Sequence, residues 1–530
     1  MSRRHRTSLK PDGSRFAFVF FASLRALRDP KLFAILIALL ITLLPLELAA
    51  LLVLGACAAA LALLSPLAAA CLAVLSVPAQ ELVQLPGGLT LTQAALLLAL
   101  GSLALHTLAN PERPLRLGPI FAPLALFLWC LALSAALTPF SRAEALRELA
   151  RWATLPLIYL LGLRAVESRG ATTAPPGAPA APAGSPPVPW PLVACLLLAP
   201  ALTAVVGLVQ FWFGLGPESF GVGGGRVRAY GTIGQPNSFA GYMNQGWPLA
   251  AGLALFALLG LLSGAPRRPA LLALLGAGAA AALMLAALLA SFSRGGWVGG
   301  MAGAVALAVA VAAGLPDALR SLARRLLWVG LTGAVALALL GGGGLLPNAL
   351  TSRVASLVGN LRLFDARGAD INPANFAVIE RMAHLQAGWN MLNLRPLVGV
   401  GPGNYTVAYQ APPALGQPPI SVRPWYESRG HAHNYYLHVA AEAGLLGLAA
   451  YLLLIGTVAA QAVRAVRAAP SWAWRGLAAG GAGVVAAVAA HNLFENLHVL
   501  NMGLQLGSVW ALLFWAERAS SSTTAEIQEQ

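Results

Sequence analysis

Four short segments hold most of the residues whose chemistry an otherwise apolar chain has no reason to keep. The stretch "RGHAHNYYLHVAAEAGLLG", residues 429–447, sets His433 and Asn434 at the point where a long hydrophobic run begins. On a helix, His438 and Glu442 follow at i and i+4 and share one face about a turn apart. His433 and Glu442 are nine residues apart and fall on nearly opposite faces, so they cannot pair as acid and base. Glu442 is expected to brace His438 or a neighbouring helix. His433, at the edge of the run, is the better general base, because an imidazole titrates near neutrality and can take a proton from an attacking hydroxyl. His431, two residues earlier, competes for that role.

Two upstream segments supply cations. In "RVRAYGTIGQPNSFAGY", residues 226–242, glycines and Pro236 bend the chain. Asn237 stands where a helix begins, as a cap would, with Arg226 and Arg228 just before it. In "SFSRGGW", residues 291–297, Arg294 lies between two apolar runs with no acidic neighbour in sequence. The paired glycines suit a tight turn, but a short turn has no need of an arginine. Arginine forks bind carboxylate or phosphate oxygens bidentately and need no metal to do so.

A rival cluster is "HNLFENLH", residues 491–498, where His491, Glu495 and His498 would share a face if the segment is helical. It lacks the H-E-x-x-H spacing of a zinc site, and capping or interfacial anchoring suits it better. No two acidic residues anywhere stand one apart, so no D-x-D type divalent-metal motif exists. The expectation is chemistry without a bound cation or cofactor.

The elements that position these residues follow from composition. The chain has 530 residues, is 58% hydrophobic and only 10% charged, against about 25% charged in soluble proteins. Apolar runs of roughly 17–25 residues recur, the length a helix needs to cross a bilayer. The fold class is therefore all-α, a polytopic membrane bundle of about 12 spans, with 14 an alternative count. Spans are expected near 91–108, 119–136, 153–166, 191–213, 240–262, 269–290, 297–315, 326–343, 434–462, 474–490 and 501–516. The run 32–79, broken by Pro45 and Pro66, supplies the remainder.

Charge orients them. The formal net charge of +15 is spread over short connectors: Arg267 and Arg268, the group Arg320, Arg324 and Arg325, and Arg464, Arg467 and Arg475. That is the pattern of cytoplasmic loops under the positive-inside rule. Aromatic residues do not interleave with the basic ones as in strand-stacking nucleic-acid sites, so no nucleic-acid partner is expected. Residues 1–31 read as a basic cytoplasmic tail, 32–344 as the first set of spans with a Pro/Ala/Gly linker over 167–190, 345–432 as a large extracytoplasmic loop, 433–516 as the last spans and 517–530 as a second cytoplasmic tail. Cys57, Cys71, Cys130 and Cys195 lie in apolar segments and read as packing residues.

In order and spacing, "RAYGTIGQPNSFAGY", "SRGGW", "ERMAHLQAGWNMLNLRPLVGVGPGNY" (residues 380–405) and "HAHNYYLHVAAEAGLLG" resemble the motifs of the O-antigen ligase and polymerase superfamily, over roughly residues 190–515. The resemblance implies a bacterial inner-membrane glycosyltransferase that moves a glycan from a polyprenyl diphosphate carrier to an acceptor hydroxyl on the extracytoplasmic side. The acceptor would be a glycan, a lipid or a protein, and membrane lipids would surround the site. His433 would take the catalytic position, and Arg228 and Arg294 would grip the diphosphate. Arg226, His431, Asn434, Asn237 and Glu442 are supporting candidates. The linker at 170–190 has no place in that pattern. A ligase, a polymerase, a protein-directed oligosaccharyltransferase and a bicarbonate-type transporter carry similar motifs. A transporter would call for broken helices at the bilayer midplane and internal repeats, and neither is evident.

Overall fold

The computed structural model describes residues 45–82, 84–85, 88–170, 186–314, 321, 325, 365–372, 375–412, 419–422 and 430–519. The expected tail at 1–31, residues 520–530 of the tail expected at 517–530, the span at 326–343, Arg320, Arg324 and most of the linker lie outside the described residues.

The two prolines of the first apolar run set its helix boundaries. Pro45 precedes α1 (Leu46–Leu64), and Pro66 opens α2 (Pro66–Ser76) behind a Ser65 cap, the favoured first-turn position for a residue without an N–H. Next come α3 (Leu91–Ala109), started by a Thr90–Gln93 capping box, α4 (Gly118–Leu137) and α5 (Arg142–Gly170). α5 begins eleven residues before the expected span at 153–166. Ion pairs at i,i+3 between Glu144 and Arg147 and between Glu148 and Arg151 carry the helix past the end of its apolar run.

The second half holds α6 (Trp190–Phe213), a short hairpin of β1 (Gly221–Gly223) and β2 (Arg226–Val227), α7 (Pro236–Leu262), α8 (Arg267–Ala290) and α9 (Arg294–Gly314). It continues with α10 (Phe376–Leu394), α11 (Tyr405–Gln410), α12 (Tyr435–Ala468), α13 (Trp472–His491) and α14 (Gly503–Arg518). Among the described residues, nine helices are long and apolar enough to cross a membrane: α3 to α9, α12 and α13. The expected span at 501–516 is the 16-residue α14, about 24 Å long. Nearly every side chain on it is buried, and its last turn reaches the opposite end of the bundle, where Glu517 pairs with Arg464.

Small residues let the central helices touch. A Cβ on Gly252 of α7 would come within 2.6 Å of the Gly476 carbonyl and the Gly480 nitrogen of α13, and one on Gly303 of α9 within 2.9 Å of Ala487. Close backbone approach of this kind is the main source of helix association where lipid removes the hydrophobic drive. Alternation of helix direction then gathers the connectors 138–141, 214–235, 291–293 and 492–502 and the approach to α12 at one end of the bundle. Arg267, Arg268, Arg464, Arg467 and Arg475 sit at the other.

α12 is not continuous. Gly444 has φ 68° and ψ −171° in its middle. The carbonyls of Ala441 and Glu442 accept from Val400 and Gly401, and the N–H groups of Leu445 and Leu446 donate to Pro396 and Leu397. The two helical bonds that these groups would have made with one another, from Leu445 to Ala441 and from Leu446 to Glu442, are replaced by four to the segment 396–401. That anchors the region between α9 and α12, whose own small core is built on Ile379, Met382, Met391, Val400, Tyr405 and Tyr409.

Candidate functional site

The site is assembled where the connectors meet. Asn434 caps α12, its side chain accepting the Leu437 N–H at 3.0 Å. The residue before it, His433, has a left-handed backbone at φ 53°, which costs a non-glycine residue roughly 1–2 kcal/mol. One contact that holds it there is the His433 N–H donated to Nδ1 of His431 at 3.1 Å. Because Nδ1 of His431 accepts, its ring proton is on Nε2, and Nε2 lies 3.1 Å from a carboxylate oxygen of Glu495.

From Glu495 the contacts continue into the arginine segments. Its second oxygen accepts from the Asn237 side-chain amide at 2.8 Å, and Asn237 accepts from Nη2 of Arg228 at 2.9 Å. Nε of Arg228 donates to the Ser291 carbonyl at 2.8 Å, and the Ala229 N–H donates to Ala290. Arg228, Asn237, Ser291, Glu495, His431 and His433 thus form one connected set drawn from four distant stretches of sequence. Arg294 opens α9 two residues after Phe292. The next residue, Gly295, leaves room only for a hydrogen, since a Cβ there would sit 2.9 Å from Phe494 and 3.0 Å from the His491 ring. Arg294 therefore stands beside the turn that carries Glu495.

The sequence expectations divide at this point. Arg226 and Arg228 separate: the Arg226 guanidinium lies over the rings of Trp212 (4.5 Å) and Phe211 (5.3 Å), away from the Glu495 set. Asn237 is not a cap; Gln235 occupies the N-cap and Pro236 the first turn, which leaves the Asn237 side chain to bridge Arg228 and Glu495. Glu442 does not reach His433. Its carboxylate accepts the backbone N–H of Gly403 and Tyr405 at 2.9 and 3.0 Å and lies 3.6 Å from Nε2 of His438.

The 491–498 segment does not form one helical face. α13 ends at His491 and a turn follows. His491 lies 3.5 Å from Asn244, Glu495 turns to His431, and His498 faces Tyr451 at 3.2 Å and stacks on Trp152. Burial pushes the His498 imidazole down to about 3. Among the described residues, the group with metal-ligand geometry is instead His431, His433 and Glu495, whose ligand atoms lie within 4.8 Å of one another. Both ring nitrogens of His431 are already engaged by protein partners.

One histidine was not read from the sequence. His384, fully buried on α10, stands perpendicular to His433 with ring centres 5.6 Å apart. Its Nδ1 lies 2.7 Å from the Glu380 carbonyl, which can only accept, so Nδ1 carries a proton. Tyr405 donates to the His384 carbonyl at 2.6 Å. Burial holds the Tyr405 phenol well above its ordinary range, so it remains a donor. Glu442 therefore supports His433 at two removes, through Tyr405 and His384. The only signal in the sequence was position, His384 falling inside the 380–405 motif.

No curated protein matches the chain. Residues 279–452 match the family model described as O-Antigen ligase, a range that contains Arg294, His384, His431, His433 and Glu442 and leaves Arg228 and Glu495 outside. On that match the chain carries a domain of the O-antigen ligase superfamily.

Proposed function

We propose that the protein is a membrane glycosyltransferase of the O-antigen ligase type, acting on the extracytoplasmic side of a bacterial inner membrane. The donor is a glycan on a polyprenyl diphosphate, and the acceptor is a hydroxyl of a lipid, a sugar or a protein. The observation that carries this reading is the connected set from Arg228 to His433 beside the start of α9. That set supports pairing a cation for a leaving diphosphate with an imidazole for an incoming hydroxyl.

The chemistry is a single displacement. The acceptor O–H gives its proton to His433 as its oxygen forms a bond to the anomeric carbon. The bond from that carbon to the diphosphate oxygen breaks, and the electron pair leaves with the diphosphate, where Arg228 and Arg294 stabilise it. His433 is preferred to His431 as base because both nitrogens of His431 are committed to holding His433 and Glu495. Inversion at the anomeric carbon is what the superfamily resemblance implies.

The test is transfer in proteoliposomes from a polyprenyl-diphosphate glycan. His433→Ala and Arg294→Ala should each insert normally and lose nearly all activity, since one charge-stabilising donor is worth roughly 10²–10³ in rate. Wild-type rates in both variants reject the mechanism. Surface glycans of a deletion strain separate the variants of the reading: carrier-linked single repeats for a polymerase, long unattached chains for a ligase, and unchanged glycans with impaired inorganic-carbon uptake for a transporter.

A further inference from the structure

A groove of about 520 Å³ runs between α6 and α8, lined by Val205, Leu208, Val209, Trp212, Phe213 and Leu283. Its walls are almost wholly apolar. The volume is within the roughly 300–1,000 Å³ of small-molecule sites. From Val205 to Phe213 the helix rises about 12 Å, which keeps the groove in the half of the bilayer nearest the His433 end, since half of a hydrocarbon core is about 15 Å.

What distinguishes this groove from other lipid-facing surface is its mouth. Trp212 is both a wall of the groove and the ring on which Arg226 rests, 4.5 Å from guanidinium carbon to ring centre. Phe211 beside it takes the same cation at 5.3 Å and stacks against Phe292 of the Arg294 segment. Two residues beyond Arg226, Arg228 enters the chain of contacts through Asn237 and Glu495 to His431. An apolar trough thus opens onto a cation, then onto a second cation, then onto the imidazoles. The ligand such a sequence fits has a long hydrocarbon tail, an anionic head at the tail's end and a reacting group beyond the head.

We infer that the α6–α8 groove seats the isoprenoid tail of the donor, with Arg226 on Trp212 marking the boundary between tail and diphosphate. This rests on the glycosyl-transfer reading above and adds where the carrier lies and which arginine meets it first. Arg226 then has a role distinct from Arg228: it registers the head relative to the groove, while Arg228 is tied to the reacting end.

Binding, measured separately from transfer, tests the assignment. The full-length protein in phosphatidylcholine nanodiscs is titrated with undecaprenyl diphosphate and, in parallel, with geranyl diphosphate, whose short tail cannot fill the groove. Wild type should prefer the long-tailed ligand. Val209→Trp, which fills the trough, should weaken undecaprenyl diphosphate about tenfold and so narrow that preference, because excluding even two methylenes from an apolar contact costs that much. Leu275→Trp, on α8 but outside the groove, should keep the wild-type preference and serves as the folding control. No preference in wild type, or a preference that Val209→Trp leaves intact, overturns the groove assignment and leaves the diphosphate reading standing. Equal displacement of undecaprenyl diphosphate by phosphatidylglycerol marks the groove as an ordinary lipid contact and overturns it too. Failure of wild type to bind either diphosphate sinks both.

Discussion

The imidazole of His431 holds the backbone of His433, its Nδ1 accepting the N–H two residues later at 3.1 Å while its Nε2 reaches Glu495. The two histidines therefore differ in kind. One is a bracket with both nitrogens occupied by the protein. The other is presented at the start of α12 in a left-handed conformation.

That difference predicts unequal losses. His433→Ala should lower transfer by roughly 10²–10⁴, the usual contribution of a general base. His431→Ala removes a bracket, and the loss of about 1 kcal/mol of hydrogen bonding corresponds to only five- to tenfold. The rate–pH profile of the His431 variant should keep its wild-type midpoint. A larger loss in His431→Ala than in His433→Ala would exchange the two roles.

Asn237 and Glu495 should act as one unit. Each is held by the other at 2.8 Å, and between them they connect Arg228 to His431. Asn237→Ala and Glu495→Gln should each impair transfer, and the double variant should be little worse than either. The interaction energy from the cycle should fall within the roughly 0.5–3 kcal/mol seen for residues in one network. Additive losses would mean that the two side chains serve separate purposes.

Much of this site was legible in the sequence, for physical reasons. The start of a long apolar run located His433 and Asn434 at the head of α12, although the cap reading went to Asn237 and it is Asn434 that caps. Arginine is costly beside a membrane, which drew attention to Arg228 and Arg294. Glu495 was visible but misplaced, because 491–498 has a helix-compatible spacing and only the turn after His491 sends its carboxylate across to His431. His384 contacts His433 through tertiary packing that leaves no local pattern. The break at Gly444 lies inside an unbroken apolar run, where period alone predicts a single helix.

The His431, His433 and Glu495 group invites a test with chelators. If these residues held a catalytic divalent cation, exhaustive treatment with EDTA would abolish transfer, and added zinc or magnesium would restore it. The hydrogen bonds that occupy His431 favour the metal-independent route, with the arginines taking the leaving-group charge. Chelation should leave the rate within about twofold, a change too small to remove a Lewis acid that contributes several kcal/mol.

The buried His498 predicts a direction of pH dependence for stability. Its folded value is about 3, while an unfolded histidine titrates near 6.5. Between those values the unfolded chain binds a proton that the folded chain does not, so stability rises with pH across the window. The contribution is intact above pH 6.5 and is lost progressively as pH falls toward 3. The thermal midpoint in detergent should drop between pH 7 and pH 4, and His498→Phe should flatten that slope. An unchanged slope would assign the acid sensitivity to other groups.

The exchange of hydrogen bonds at Gly444 makes the strongest stability prediction. Gly444 and Gly399 both have positive φ, 68° and 71°, where a side chain is strained. Space is also closed: a Cβ on Gly444 would collide with the Leu397 carbonyl, and one on Gly399 with the carbonyl of Glu442. These neighbours are backbone and cannot move aside without giving up the bonds from Val400 to Ala441 and from Gly401 to Glu442. Alanine at either position should therefore release the 396–405 segment, and with it Tyr405 and the support of His384. The expected signature is rapid proteolysis between residues 365 and 422 with the transmembrane helices still protected. Glu442→Gln should be milder, because the amide oxygen can still accept from one of the two N–H groups that the carboxylate now holds. If Gly444→Ala were as resistant to protease as wild type, the segment would have to be held by contacts other than those at the helix break.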